Sequence, residues 1–350
     1  MSPLLKSAKQ AGIRGLELRA KPWNIRAADF FDNGEILRKD VAQVFQTSGD
    51  NIALIPSASY GLATAAKNLK VRSAKSILLL ENQFPSNYYV WEQLAAIQDL
   101  KIITVRKDPS KGLTECILEC INSETGIVAI PNCHWMDGAR IDLEKISEAV
   151  KSVKAFLVLD LSQSLGILPT DINSIDPDFA VSVGYKWMLG PYGLGYMYVA
   201  PRWHHNAEPL EYSWQTRKDS DDFTSITQYS SEYRTGARKF DMGEYSQFNT
   251  IQMAIAGAKQ ILEWGVDAMQ SSVSAITRII SDRLDFNHGS YAGHIISIPI
   301  AGTDVEMLKK TLADNKIFIS YRGSFIRISP HLFNSADDAE LLMKCVSLAS

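Results

Sequence analysis

The chain has few of the features that would assign it to a special compartment or a special chemistry. It holds only four cysteines in 350 residues, Cys116, Cys120, Cys133 and Cys345, and no two of them stand at C-x-x-C spacing. They read as buried or free thiols in a reducing compartment. Cys116 and Cys120 stand one helical turn apart, but no histidine follows at ligand spacing. Packing is therefore their expected role, and no metal is expected. Charge of one sign is missing too. A net charge of −3 offers no basic field for nucleic acid or an acidic membrane. No apolar run is long enough to cross a bilayer. The opening MSPLLKSAKQAGIRG lacks the apolar core of a secretory leader, and there is no repeat or low-complexity linker. The expectation is a soluble, cytoplasmic protein without nucleic-acid or membrane partners.

What is present is an ordinary globular mixture, 46% apolar and 21% charged, in a chain long enough for two domains. Its organising stretch runs from Asp178 to Pro201, DFAVSVGYKWMLGPYGLGYMYVAP. An apolar strand is expected over Phe179–Val183 and another over Tyr196–Ala200, with Lys186 and three glycines, Gly190, Gly193 and Gly195, between them. A lysine at the end of a buried strand is costly without a task or a partner. A desolvated lysine is also a nucleophile toward an aldehyde. The plain reading of the same residues is a hairpin with a surface lysine.

Residues 155–160, AFLVLD, form a second apolar strand that ends in Asp160, and Gln163 follows three residues later. In open α/β sheets ligands bind at the carboxyl ends of strands, where Asp160 and Lys186 would both stand. The pair D-x-x-Q-x-x-G and G-Y-K-W-x-x-G-P-x-G-x-G resembles the class V aminotransferase family of fold-type I pyridoxal phosphate enzymes. That group includes cysteine desulfurases, kynureninases and isopenicillin-N-epimerase-like proteins, and the likeness runs from about Ile52 to the C-terminus. It implies a mainly parallel, seven-stranded-type α/β sheet between helices, carrying pyridoxal 5'-phosphate, plus a smaller α+β C-terminal domain. Lys186 would hold the cofactor as a Schiff base, Asp160 would keep its ring nitrogen protonated, and Gln163 would donate to the ring oxygen.

Other candidates follow in chain order. Ser57, Ala58 and Ser59 precede a helix expected over Leu62–Leu69, and a helix start suits a phosphate; the resemblance gives this place to the cofactor phosphate. Phe84, in an F-P-S-N context like that of kynureninases, is the expected stacking ring. The loop Pro131–Arg140 contains His134 at a strand end, an active-site candidate in place of the family's asparagine. Tyr185 stands where kynureninases use a tyrosine toward the phosphate. In F-I-R-I-S-P-H-L-F-N the resemblance gives Arg327 the substrate α-carboxylate, a task for a guanidinium fork.

The expected organisation is an arm and helix over 1–45, packing on the small domain and a dimer partner, a cofactor domain over 46–245 and a small domain over 246–350. Asn33-Gly34 reads as a turn and Glu35–Phe45 as a helix. Strands are expected over Ser76–Leu80, Lys316–Ser320 and Phe325–Ser329, and helices over Thr250–Trp264 and Ala336–Leu348. The acids of Asp176-Pro177-Asp178 and the charges of the irregular stretch 203–245 read as solvated. The resemblance makes the chain a homodimeric enzyme acting on an amino acid, with transamination first and a lyase or epimerase as alternatives. A binding or regulatory protein on a retired enzyme fold is the non-catalytic alternative. The loop Ile319–Ser324 has no cysteine, which counts against a desulfurase.

Overall fold

The computed structural model describes residues 2–284, 291–300 and 302–348. The chain divides into two compact units, one of Met1–Asn132 with Asp142–Trp264, the other of Cys133–Ile141 with Gly265–Ser350. The division falls at Gly265 rather than at the expected 245/246, so the helix at 250–264 lies in the larger unit. So does residue stretch 1–45.

The larger unit is built on seven strands: β1 (Ile52–Ile55), β2 (Ser76–Leu80), β3 (Lys101–Val105), β4 (Thr125–Pro131), β5 (Phe156–Asp160), β6 (Phe179–Val183) and β7 (Gly195–Val199). They lie side by side in the order β1-β7-β6-β5-β4-β2-β3. The pairs β3/β2, β2/β4, β4/β5 and β5/β6 are parallel, and β7 runs against both its neighbours. All seven except β3 are buried along almost their whole length. This explains their continuous apolar runs, since helices cover both faces of such a sheet. The helices are α1 (Lys6–Arg19), α2 (Asp32–Val44), α3 (Ala58–Asn68), α4 (Ser86–Gln98), α5 (Leu113–Cys120), α6 (Leu143–Ser152), α7 (Ile172–Ile175) and α8 (Thr250–Trp264).

The smaller unit carries α9 (Val266–Ser281), β8 (Ile296–Pro299), α10 (Val305–Asp314), β9 (Ser320–Arg322), β10 (Phe325–Ile328) and α11 (Ala336–Leu348). Its strands form an antiparallel sheet in the order β8-β10-β9. Ile296, Ile298, Ile326 and Ile328 on one face pack with Leu308, Leu312, Leu342 and Met343 from the helices. The α/β architecture with a small second sheet is the one the sequence led us to expect.

Several local expectations need correction. Residues 6–19 are the helix α1, not an extended arm. Its buried face is Ala8, Ala11, Gly12 and Gly15, which has helical spacing but no large apolar side chain to reveal it. The small face lets the helix approach closely: a Cβ on Gly15 would lie 2.3 Å from the Phe248 carbonyl oxygen. Asn33-Gly34 is not a turn but the first turn of α2. The strand expected over Lys316–Ser320 begins only at Ser320; Lys316, with a left-handed φ of 56°, belongs to the turn after α10. Asp178 is buried, not solvated. Its carboxylate accepts from Leu157 N at 2.9 Å, Arg202 Nε at 2.9 Å and Trp203 Nε1 at 2.8 Å, which ties together the strand ends opposite to those bearing Asp160.

The charges of 234–241 are likewise not solvated. Lys239 and Asp241 are buried. Asp241 receives Arg38 Nη1 at 3.1 Å and Nη2 at 2.7 Å and Leu54 N at 2.7 Å. Arg238 bridges Glu35 at 2.8 Å and Asp50 at 2.6 Å. The stretch 203–245 is as irregular as expected, apart from single turns such as Trp214–Thr216 and Gly236–Phe240.

Candidate active site

The parallel strands β1, β2, β5 and β6 all point the same way, and the segments after their C-terminal ends carry most of the candidate residues. After β1 comes α3, with Ser57 as its N-cap. The Ser57 hydroxyl accepts from Tyr60 N at 3.2 Å, so it is spent on the helix. The N–H groups of Ala58 and Ser59 make no hydrogen bond among the described residues and sit at the positive end of the helix, an arrangement suited to an anion. α3 begins at Ala58, earlier than the expected Leu62. Gly61 seats it on the sheet: a Cβ there would lie 2.5 Å from Val181 Cγ1 and 2.9 Å from Ile55 Cδ1.

After β2, Gln83 is buried and gives its amide to the Asn87 carbonyl and, at 3.0 Å, to the Ala129 carbonyl. This braces the turn that carries Phe84. The Phe84 ring is 40% exposed, open enough to receive a flat group. The Lys186 Nζ lies 5.7 Å from its centroid. Two segments over a hundred residues apart in sequence therefore meet at this end of the sheet.

At the end of β5, Asp160 is 7% exposed. Its Oδ1 accepts from Ser162 N at 3.0 Å. Its Oδ2 has no hydrogen-bond partner among the described residues. A buried carboxylate with an oxygen to spare suits a ring N–H. Gln163 is buried in the same turn. Ser162 accepts from Val183 N at 3.3 Å, which fastens this turn to the end of β6.

Lys186 itself is half-buried, not fully buried as its place after an apolar strand suggested. It lies in the connection between β6 and β7, which pair as an antiparallel hairpin. Gly184 permits that connection, since a Cβ on it would lie 2.6 Å from the Leu194 carbonyl oxygen. Tyr185 packs its ring 4.6 Å from that of Tyr192. Burial raises the Tyr185 pKa, helped by Tyr192 and by the charge of nearby Asp160, so its hydroxyl stays a donor.

His134 and Arg327 belong to the smaller unit. His134 is buried. Its Nδ1 bonds the Asp137 carboxylate at 3.1 Å, and its Nε2 has no partner among the described residues. Arg327, on β10, donates from Nη1 to the Trp135 carbonyl at 2.6 Å and makes no ion pair among the described residues. Burial, and then the charge of Arg322, lower its pKa.

Sequence reasoning passed over three residues. Asn132 follows Pro131, which pairs with Asp160 across β4 and β5, and its buried Oδ1 has no partner among the described residues. An asparagine directly after a buried strand was the available signal. Ser2 donates from Oγ to the Lys186 carbonyl at 2.8 Å; nothing in the sequence marks that contact. Arg322 stacks over the Trp135 ring at 5.3 Å.

The family model of class V aminotransferases matches residues 24–340. The chain belongs to that family. It is 23% identical over 313 residues to an uncharacterized aminotransferase, YcbU, of Bacillus subtilis, covering 87% of this chain and 80% of that protein. Other relatives are named probable cysteine desulfurase, isopenicillin N epimerase and kynureninase. Among solved structures, the apo cysteine desulfurase of Thermococcus onnurineus superposes with a TM-score of 0.82 at 18% identity, over 98% of this chain and 94% of that one. A C-DES mutant with glycine covalently linked to its PLP cofactor superposes with a TM-score of 0.84 at 16% identity, over 98% and 93%.

The fold is that of the fold-type I pyridoxal phosphate enzymes, and pyridoxal phosphate is the cofactor that the family and these neighbours indicate. The residues present fit it: an amine, a buried carboxylate with a spare oxygen, an open aromatic ring and a helix N-terminus. The names of the relatives do not support setting desulfurases aside, as the cysteine-free loop 319–324 had suggested.

Proposed function

We propose that the chain is a pyridoxal-phosphate-dependent enzyme that works on the α-carbon of an amino acid, with transamination as its leading reaction. The observation that carries this reading is the placement of Asp160 at the end of β5 and of Lys186 after the neighbouring parallel β6, with the Phe84 ring 5.7 Å from the Lys186 Nζ. When bound, the cofactor supplies an aldehyde that takes up an amine and a ring that draws electrons from the α-carbon. Lys186 would be the amine that holds the cofactor and the base that takes the α-proton at Nζ. The Asp160 Oδ2 would hold a proton on the ring nitrogen. Phe84 would stack on the ring and Gln163 would donate to its oxygen. Ala58 and Ser59 would bind the phosphate by their N–H groups, with Ser57 fixing their helix turn, and the Tyr185 hydroxyl would donate to the same phosphate. His134 is read as an active-site residue and Arg327 as the grip on the substrate α-carboxylate. A cytoplasmic homodimer completes the reading.

The names of its relatives favour a second reading, a lyase or desulfurase. Against a desulfurase stand the thiols of this chain: Cys116, Cys133 and Cys345 are buried and Cys120 is half-buried.

The test is the visible absorbance of the cofactor-loaded protein with a panel of L-amino acids. Transamination predicts a spectral change that a keto acid reverses. Release of alanine with sulfide, or of ammonia with pyruvate, supports the second reading. Lys186→Ala should abolish turnover, and full activity in that variant would sink the assignment.

A further inference from the structure

The antiparallel register of the small sheet sets two arginines on one face. Arg322 stands opposite Phe325 and Arg327 opposite Ser320, so the two are diagonal neighbours, roughly 7–8 Å apart. The opposite face carries Ile326 and Ile328 into the core. Two cations at that spacing repel one another, and burial of Arg327 makes the repulsion costlier. Neither makes an ion pair among the described residues.

Their hydrogen bonds follow the same plan. Arg322 donates from Nη1 to the Tyr321 carbonyl at 2.8 Å, and Arg327 from Nη1 to the Trp135 carbonyl at 2.6 Å. In both, the Nε is buried with no partner among the described residues. Each guanidinium thus keeps its Nε–Nη2 edge unspent, an edge that can grip a carboxylate with two parallel bonds. One tryptophan orients both: its carbonyl holds Arg327, and its ring lies 5.3 Å from the Arg322 guanidinium. Buried, unsatisfied donors in a native fold call for an explanation. Two of them on adjacent like charges are explained together by one ligand bearing two acid groups.

We propose that Arg322 is a specificity-determining residue that binds a second acid group of the substrate, so that the chain acts on amino acids with an acidic side chain. This rests on the reading of Arg327 as the grip on the α-carboxylate.

Binding can be measured without turnover, by calorimetric titration of the full-length protein with glutarate, 3-sulfopropanoate and butyrate. Glutarate or 3-sulfopropanoate should bind at least roughly ten-fold tighter than butyrate, one charge-assisted bidentate contact being worth about that ratio. Whichever diacid binds tighter identifies the second group as a carboxylate or a sulfur acid. Arg322→Gln should erase the advantage and leave butyrate binding in place. Arg322→Lys, which keeps the charge but not the fork, should keep only part of it. Equal affinity of wild type for all three ligands overturns the proposal, and this result needs no variant to fold. An advantage that survives Arg322→Gln also overturns it. Arg327→Gln should weaken all three ligands; if it leaves butyrate binding unchanged, the reading of Arg327 fails instead.

Discussion

Replacing Asp241 by asparagine tests the buried clamp between α2 and the irregular stretch. Asp241 and Arg38 are each 1% exposed. The carboxylate takes two bonds from Arg38, at 2.7 and 3.1 Å, and one from Leu54 N on β1 at 2.7 Å. Burial opposes the Arg38 charge, but Asp241 outweighs it and pushes the Arg38 pKa up. Asparagine would leave that guanidinium charged, buried and facing an amide. Removing one partner of such a pair costs about 3–5 kcal/mol, a large share of a typical fold's ~5–15 kcal/mol. With an m-value of about 3 kcal/mol per M urea, the denaturation midpoint followed by circular dichroism should fall by roughly 1–1.7 M. The double variant Arg38→Met with Asp241→Leu should recover most of the loss, because a well-packed apolar pair often matches a buried ion pair. A single variant within about 1 kcal/mol of wild type, or a double variant as unstable as the single, would refute the reasoning.

Further outcomes concern the site and the pH response. Gly61→Ala drives a methyl into Val181 and Ile55, so it should cost about 1–3 kcal/mol and lower the thermal midpoint; an unchanged midpoint means that α3 shifts freely. Phe84→Ala should weaken pyridoxal phosphate binding by roughly 2–12-fold, the worth of an aromatic pair, read by equilibrium dialysis; unchanged affinity removes Phe84 from the site. Burial lowers the His204 pKa, partly offset by the bond of Nε2 to the Val199 carbonyl at 3.1 Å. A base with a depressed folded pKa takes its proton later than the unfolded chain does. Stability should therefore decline as pH falls through about 6.5, and His204→Gln should flatten that decline; an identical pH profile excludes His204 as a cause.

Much of the candidate site was legible because strand ends are legible. A buried parallel strand is a short apolar run, and the first polar residues after it fall where ligands bind. Asp160 at the end of β5, Gln163 and Lys186 follow that rule, Phe84 stands in the turn after β2, and the motifs around Asp160 and Lys186 already resembled the family to which the chain belongs. Asn132 obeys the same rule, but an asparagine after a strand is also an ordinary turn residue, so the sequence does not single it out. The pairing of Arg322 with Arg327 depends on the register between β9 and β10, which no local pattern announces.

By itself, the sequence determined where the strongly periodic and apolar elements lie. The bounds of Ser76–Leu80, Thr250–Trp264 and Ala336–Leu348 agree with the structure residue for residue, because propensity, pattern and capping there point the same way. Tertiary structure alone decided the elements whose partners are distant. The face of α1 is apolar only in the sense of being small, and it makes sense only against Phe248 and Met253. Asp178, Lys239 and Asp241 look solvated in the one-dimensional chain and are buried in the fold. A polar residue can be buried only where its hydrogen bonds are met. For Asp178 and Asp241 most of the groups that meet them lie twenty to two hundred residues away in sequence.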